Sequence, residues 1–161
     1  MDDPRWLTPE QLHSWIRLVS VVELLPSILD AQLQRDAELT HFEYFTLARL
    51  SEAPKRTLRM TALSAATNAS LARLSHVIAR LERRGFVERT PCLEDRRATN
   101  ASLTELGWRK VVETAPGHVA TVRDSVIDVL DQSDVADLDR IMGRILSRLD
   151  PTNRLRSWGA E

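Results

Sequence analysis

The chain has 161 residues, 43% hydrophobic and 28% charged, with one cysteine and a formal net charge of −1; this composition excludes a disordered chain, a collagen-like fibre and a disulfide scaffold. A lone Cys92 and a start Met1-Asp2-Asp3-Pro4-Arg5, without the basic-then-apolar layout of a signal peptide, point to a reducing cytoplasm. No uncharged apolar run approaches the roughly 18 residues of a membrane span, so no membrane partner is expected.

Thr8-Pro9-Glu10-Gln11 is a capping box with proline at the first helical position. Leu12, Trp15, Ile16, Val19, Val22, Ile28, Leu29 and Leu33 then recur at helical spacing, predicting a long first helix kinked at Pro26. Thr40-His41-Phe42-Glu43 is a second capping box, and Ser51 to Thr57, with Pro54, ends the helix it opens. Thr57 to Met60 reads as a turn or minor strand, and Thr61 to Thr67 as a short helix. Ser70 caps the next helix, Leu71 to Arg84, which stops at Gly85. Phe86–Thr90 and Thr99–Leu103 read as two strands of a hairpin around a charged loop. Thr104 caps a helix in which Pro116-Gly117 predicts a kink or break, Ser133 or Asp134 starts the last helix, and Pro151 ends it. The tail from Thr152, despite Leu155 and Trp158, carries no pattern.

Charge is unevenly placed. Residues 1–54 hold four basic and nine acidic groups, residues 55–97 hold ten basic and four acidic, and residues 98–161 hold eight basic and ten acidic. A centre of +6 between ends of −5 and −2 is the footprint of a polyanion-binding module. On a helical wheel Leu71, Leu74, Val77, Ile78 and Leu81 form one face of their helix, and Arg73, His76, Arg80 and Arg83 the opposite one. Such a helix after a short helix and tight turn suits the DNA major groove, with Arg73, His76 and Arg80 as base readers and the Ser70 hydroxyl on a phosphate. In the hairpin loop, Arg96 and Arg97 suit a narrow minor groove, and Asp95 is placed to hold the Arg97 side chain extended by a charge-assisted bond.

The run Leu81-Glu82-Arg83-Arg84-Gly85-Phe86-Val87-Glu88-Arg89, then Glu94-Asp95-Arg96-Arg97-Ala98 and Leu103-Thr104-Glu105-Leu106-Gly107, closely resembles the MarR (multiple antibiotic resistance regulator) family over nearly the whole chain. His76 stands where that family often has an arginine. The resemblance implies a homodimer with interlocked terminal helices, two winged helices on a palindromic operator, and repression relieved by a small effector. It implies a ligand cleft between the dimer helices and the winged domain, near which Trp15, His41, Tyr44 and Trp108 are the aromatic candidates. Cys92 reads as a passive thiol, since the reactive cysteine of peroxide-sensing members lies near the N-terminus.

The expected fold is therefore mainly α (α+β): a winged helix-turn-helix over 36–103, helical dimerisation segments over 8–35 and 104–150, and a tail over 151–161. The terminal helices carry more apolar surface than a small winged helix covers, which makes Leu12, Ile16, Val19, Leu138, Ile141, Met142, Ile145 and Leu149 candidates for a symmetric interface. No cofactor is expected, and His13, His41, His76 and His118 show no metal-ligand spacing. Nucleophile elbow, glycine-rich phosphate loop and HExxH signatures are absent, so no enzyme is expected. The function read is a sequence-specific regulator of double-stranded DNA; the rival is a winged-helix protein-interaction module, which the basic centre disfavours.

Overall fold

A helix start leaves backbone N–H groups without partners, and the sequence supplies them. In the computed structural model, which describes residues 4–92, 95 and 97–155, α1 (Pro9–Ala37) opens with Thr8 Oγ1 accepting from the Gln11 N–H and Gln11 Oε1 accepting from the Thr8 N–H. Pro26 lies inside this helix without ending it. The second capping box opens α2 (His41–Glu52): Thr40 Oγ1 accepts from the Glu43 N–H, and Glu43 Oε2 accepts from the Thr40 N–H at 2.8 Å. Between them the chain turns at Glu38, in the left-handed region at φ 53°, and the Asp30 carboxylate accepts the His41 N–H at 2.7 Å.

A single 3₁₀ turn over Pro54–Arg56 leads into β1 (Thr57–Arg59), followed by α3 (Met60–Ala66) and α4 (Leu71–Arg83). Gly85, at φ +76°, reverses the chain after α4, a conformation that costs a residue with a Cβ. The hairpin β2 (Val87–Pro91) and β3 (Thr99–Leu103) pairs in register from Val87↔Leu103 to Pro91↔Thr99. The stretch after Arg56 is a true strand, because β1 adds to the far side of β3 in the order β1-β3-β2, with Thr57 opposite Ser102.

Thr104 caps α5 (Glu105–Val122) by accepting the Gly107 N–H at 3.0 Å. A Cβ on Gly107 would stand 2.1 Å from the Phe86 carbonyl oxygen and 2.7 Å from Leu103 Cδ1. Alanine would gain about 1 kcal/mol in helix propensity and lose about 3 to overpacking against backbone. Gly107→Ala is therefore expected to destabilise the protein by about 2 kcal/mol in urea unfolding; a stabilised variant would show that the helix–sheet junction can move apart freely.

Of the kink or break expected at Pro116-Gly117, the break is not there. α5 runs on to Val122 and the irregularity comes later, as a π turn over Arg123–Ile127. Proline removes one helical bond, yet the helix continues, and at Gly117 it lies beside α1, where a Cβ would stand in ordinary contact 3.4 Å from Gln32 Nε2. α6 (Gln132–Leu149) begins a residue or two earlier than expected, capped by Asp131 with Asp134. The tail also has local structure up to Leu155. The buried Asp150 carboxylate accepts the Leu155 N–H at 2.8 Å, and Arg49 Nη2 donates to the Leu155 carbonyl at 2.9 Å. Trp158 lies outside the described residues.

One apolar core joins the end of α1 to α2, α3, α4 and the sheet, through Leu33, Leu39, Leu47, Leu50, Leu63, Leu74, Ile78 and Leu81. The terminal helices are different. α6 buries no residue, Leu12, Ile16 and Ile141 are exposed, and Leu149 keeps 70% of its surface; Val19, Leu138, Met142 and Ile145 are half-buried. α1 also proves long and apolar enough to cross a membrane by length and composition. The expectation from uncharged runs missed this because Arg17 and Glu23 interrupt the run without cancelling its apolar character.

Candidate nucleic-acid interface

Helix α4 separates its faces as its wheel predicts, with Leu74, Val77, Ile78 and Leu81 buried. Leu71 departs from the pattern: at 48% exposure it lies in the first turn, past the edge of the core. The Ser70 hydroxyl accepts the Arg73 N–H at 3.3 Å, which leaves its own proton free to donate. On the outer row His76 and Arg83 are exposed, and among the described residues neither has an ion-pair or hydrogen-bond partner.

The other two cations of that row are engaged within the protein. Arg80 Nε forms an ion pair with Glu43 Oε1 at 2.6 Å, with the Glu43 side chain 3% exposed and that of Arg80 half exposed. The Arg73 guanidinium lies 4.2 Å from the centre of the Phe42 ring, a cation–π contact. Arg84, at the end of α4, donates to the Glu38 carbonyl at 2.8 Å. Thus Arg73 and Arg80 of α4, with Arg84 just after it, hold the first turn of α2 and the connector before it. Arg80, expected as a base reader, has its Nε engaged by an almost fully buried carboxylate, whose unpaired form would be costly, while half of its side chain stays exposed.

In the wing, Asp95 also differs from expectation. Its Oδ1 accepts the backbone N–H of Arg97 at 3.0 Å and its carbonyl accepts from the Ala98 N–H at 2.9 Å. It shapes the loop as an Asx turn and does not grip the Arg97 guanidinium, which is exposed. Arg96, with Leu93 and Glu94, lies outside the described residues. Behind the loop, Arg89 is fixed on Glu82 through Nε at 2.9 Å and Nη2 at 2.6 Å. That side-chain hydrogen bonding holds the Glu82 carboxyl below the usual range.

A cleft of about 390 Å³ opens between α3, the first turns of α4 and the wing, lined by Arg59, Met60, Thr61, Leu71, Ala72, Ser75, Arg89 and Arg97. Arginines from three elements line it, Arg89 with its charge balanced by Glu82. Arg59 and Arg89 were not singled out by sequence; their one signal was membership of the basic centre, since only the sheet pairing brings β1 beside the wing.

The four aromatic candidates for a ligand cleft do not converge. Trp15 is 55% exposed on the first half of α1, and Trp108 packs under Arg56, 4.0 Å from guanidinium to ring centre. His41 and Tyr44 do come together, with His118, which sequence reading passed over: Tyr44 and His118 have ring centres 4.8 Å apart. Burial pushes the Tyr44 hydroxyl up, and Glu52 adds to the rise. Cys92 is buried.

Against known proteins this geometry has a close counterpart. The MarR family transcriptional regulator Sco3205 of Streptomyces coelicolor, solved in complex with DNA, is 42% identical over 95% of this chain and 96% of its own, with a TM-score of 0.88. The chain belongs to the MarR family. The MarR family model matches residues 39–99, which run from the α1–α2 connector into the wing and contain all the arginines just described. A second MarR regulator from the same organism, AbsC, is 38% identical over 92% of this chain and all of its own, with a TM-score of 0.86. The uncharacterized HTH-type transcriptional regulator YdcH of Bacillus subtilis is 31% identical over 81 residues. The chain spans only 55% of that relative's length.

Proposed function

We propose that the protein is a cytoplasmic transcriptional repressor that binds a palindromic duplex operator as a homodimer and releases it on taking up a small, aromatic effector. No catalytic step is assigned to it. The observation that carries the reading is the face formed by α4 and the wing: His76 and Arg83 stand unpaired among the described residues beside a cleft lined by Arg59, Arg89 and Arg97. A helix of this kind lies in the major groove while the wing reaches the adjacent minor groove, and the phosphate backbone between them meets the cleft. His76 and Arg83 are assigned to base edges, Ser70 to a phosphate oxygen, and Arg96 and Arg97 to the minor groove. Arg73 supports the helix from Phe42 and turns its remaining donors to phosphate. The exposed apolar residues of α1 and α6 are assigned to the partner protomer, which also accounts for an α1 apolar enough for lipid. The likeness to a MarR protein solved on DNA supports the same reading.

The test is selection of bound duplexes from a random pool at near-physiological salt, with the oligomeric state followed by light scattering. Enrichment of a palindrome by a dimer is the expected result; enrichment of nothing, with capture of a protein partner instead, would establish the interaction-module reading. With the selected operator, Arg97→Ala is expected to weaken binding on all sequences alike and to lower the salt slope by about one per protomer. Arg83→Ala is expected to cost about 1–3 kcal/mol at one base pair per half-site. Equal slopes for Arg97→Ala and wild type would remove the wing from the contact.

A further inference from the structure

The seam between α5 and the first turns of α2 holds a group of rings that DNA contact does not use. His41 and His118 have ring centres 6.2 Å apart, tilted by 31°; Tyr44 closes on His118 and Phe45 on His41. Two buried polar atoms at this seam, His118 Nδ1 and Gln32 Oε1 of α1, have no hydrogen-bond partner. Gln32 gives its Nε2 to Asp36 at 3.0 Å, and the contact with Gly117 sets it against the turn of α5 that carries His118. The charged neighbours come from every packed element: Asp30 and Asp36 on α1, Arg49 over Phe45 and Glu52 acting on Tyr44 from α2, and His118 itself on α5. Among the described residues no third ligand completes a metal site.

The start of α2 and the connector before it are held from the other side by α4 and the residue after it, through Arg73 on Phe42, Arg80 on Glu43 and Arg84 on the Glu38 carbonyl. One short segment therefore meets α5 with His41 and the DNA-facing helix with the residues on either side of it.

We propose that His41 and His118 form a proton-operated switch, in which the neutral pair keeps α2 packed on α5 and α4 set for DNA, while a proton taken up by the pair parts α2 from α5 and carries α4 with the connector. The switch rests on the DNA-binding reading above and adds its regulation. Its sign follows from desolvation. Burial pushes both imidazoles below their ordinary value; Asp30 opposes this at His41, and His41 adds to it at His118. The opened seam, with its rings in water, binds more protons than the packed one. The packed seam is fully favoured above the ordinary imidazole pKa of about 6.5 and loses that advantage as the pH falls below it.

The experiment follows three quantities for the full chain from about pH 7.5 to about pH 5.5 at constant ionic strength, a range centred on imidazole titration. These are affinity for the selected operator, the imidazole proton resonances by NMR, and the thermal midpoint. Wild type is expected to lose about tenfold in affinity, the scale of an ordinary coupling between sites, with the His41 and His118 imidazoles titrating below the ordinary value. His118→Gln and, separately, His41→Gln are expected to abolish that loss. Wild-type pH dependence in both variants, or seam imidazoles titrating at or above the ordinary value, overturns the switch. If wild type binds no operator at about pH 7.5, where imidazole is neutral, the DNA-binding reading fails on its own. The switch is then judged by the thermal midpoint: a fall in acid that His118→Gln removes supports it, and no such fall overturns it.

Discussion

Arg80→Met lowers the unfolding free energy by about 3 kcal/mol. The substitution removes the group that neutralises Glu43, whose carboxylate is almost wholly buried and whose Oε1 lies 2.6 Å from Arg80 Nε. Methionine keeps the packing of the arginine stem, so the loss measures the stranded charge and not a cavity. Two features bound the effect. Half of Arg80 is in water, which screens the pair, and the Thr40 N–H still holds Glu43 Oε2. Replacing both partners, Glu43→Gln with Arg80→Met, is expected to recover most of the loss, because an amide can keep the capping bond without a buried charge. Urea unfolding of the two singles and the double checks this. A stable Arg80→Met that has lost discrimination at one base pair would return Arg80 to the role its place on the helical wheel suggests.

The second large effect is expected at the apolar faces of α1 and α6. Ile16→Asp combined with Ile141→Asp places carboxylates in two positions that are exposed in the single chain and that the proposed dimer covers. A two-fold interface repeats each substitution, and each unpaired buried carboxylate costs several kcal/mol, about 3 at the low end. The variant is expected to run as a monomer in sedimentation and to lose operator affinity by at least about a hundredfold, since two half-sites are then bound independently. Neither substituted position belongs to the buried core built around Leu47, Leu63, Leu74 and Leu81, so far-ultraviolet circular dichroism is expected to keep most of its helical signal. A dimer that survives both charges would place the interface elsewhere.

Residues whose partners lie three or four positions away were legible in the sequence. The capping boxes at Thr8 and Thr40, the Ser70 cap, the Gly85 stop and the apolar stripe of α4 appear where local hydrogen bonding and helical period put them. The basic centre and the helix–turn–helix–hairpin order were legible for the same reason, and they were enough to point to DNA and to the family. Which cations are free to act could not be read this way. Arg73 and Arg83 are alike on a wheel, yet one lies on Phe42 and the other on nothing among the described residues; Arg80 is claimed by Glu43, 37 positions earlier in the chain. Asp95 was correctly placed beside Arg97 but bonds its backbone, because a carboxylate two residues back reaches the N–H at no cost in side-chain entropy. Helix period and capping are properties of a few consecutive residues, so the chain declares them directly. A guanidinium's partner, the cleft that β1 completes, and the meeting of His41 with His118 depend on how whole elements pack, and that is decided by burial summed over the core.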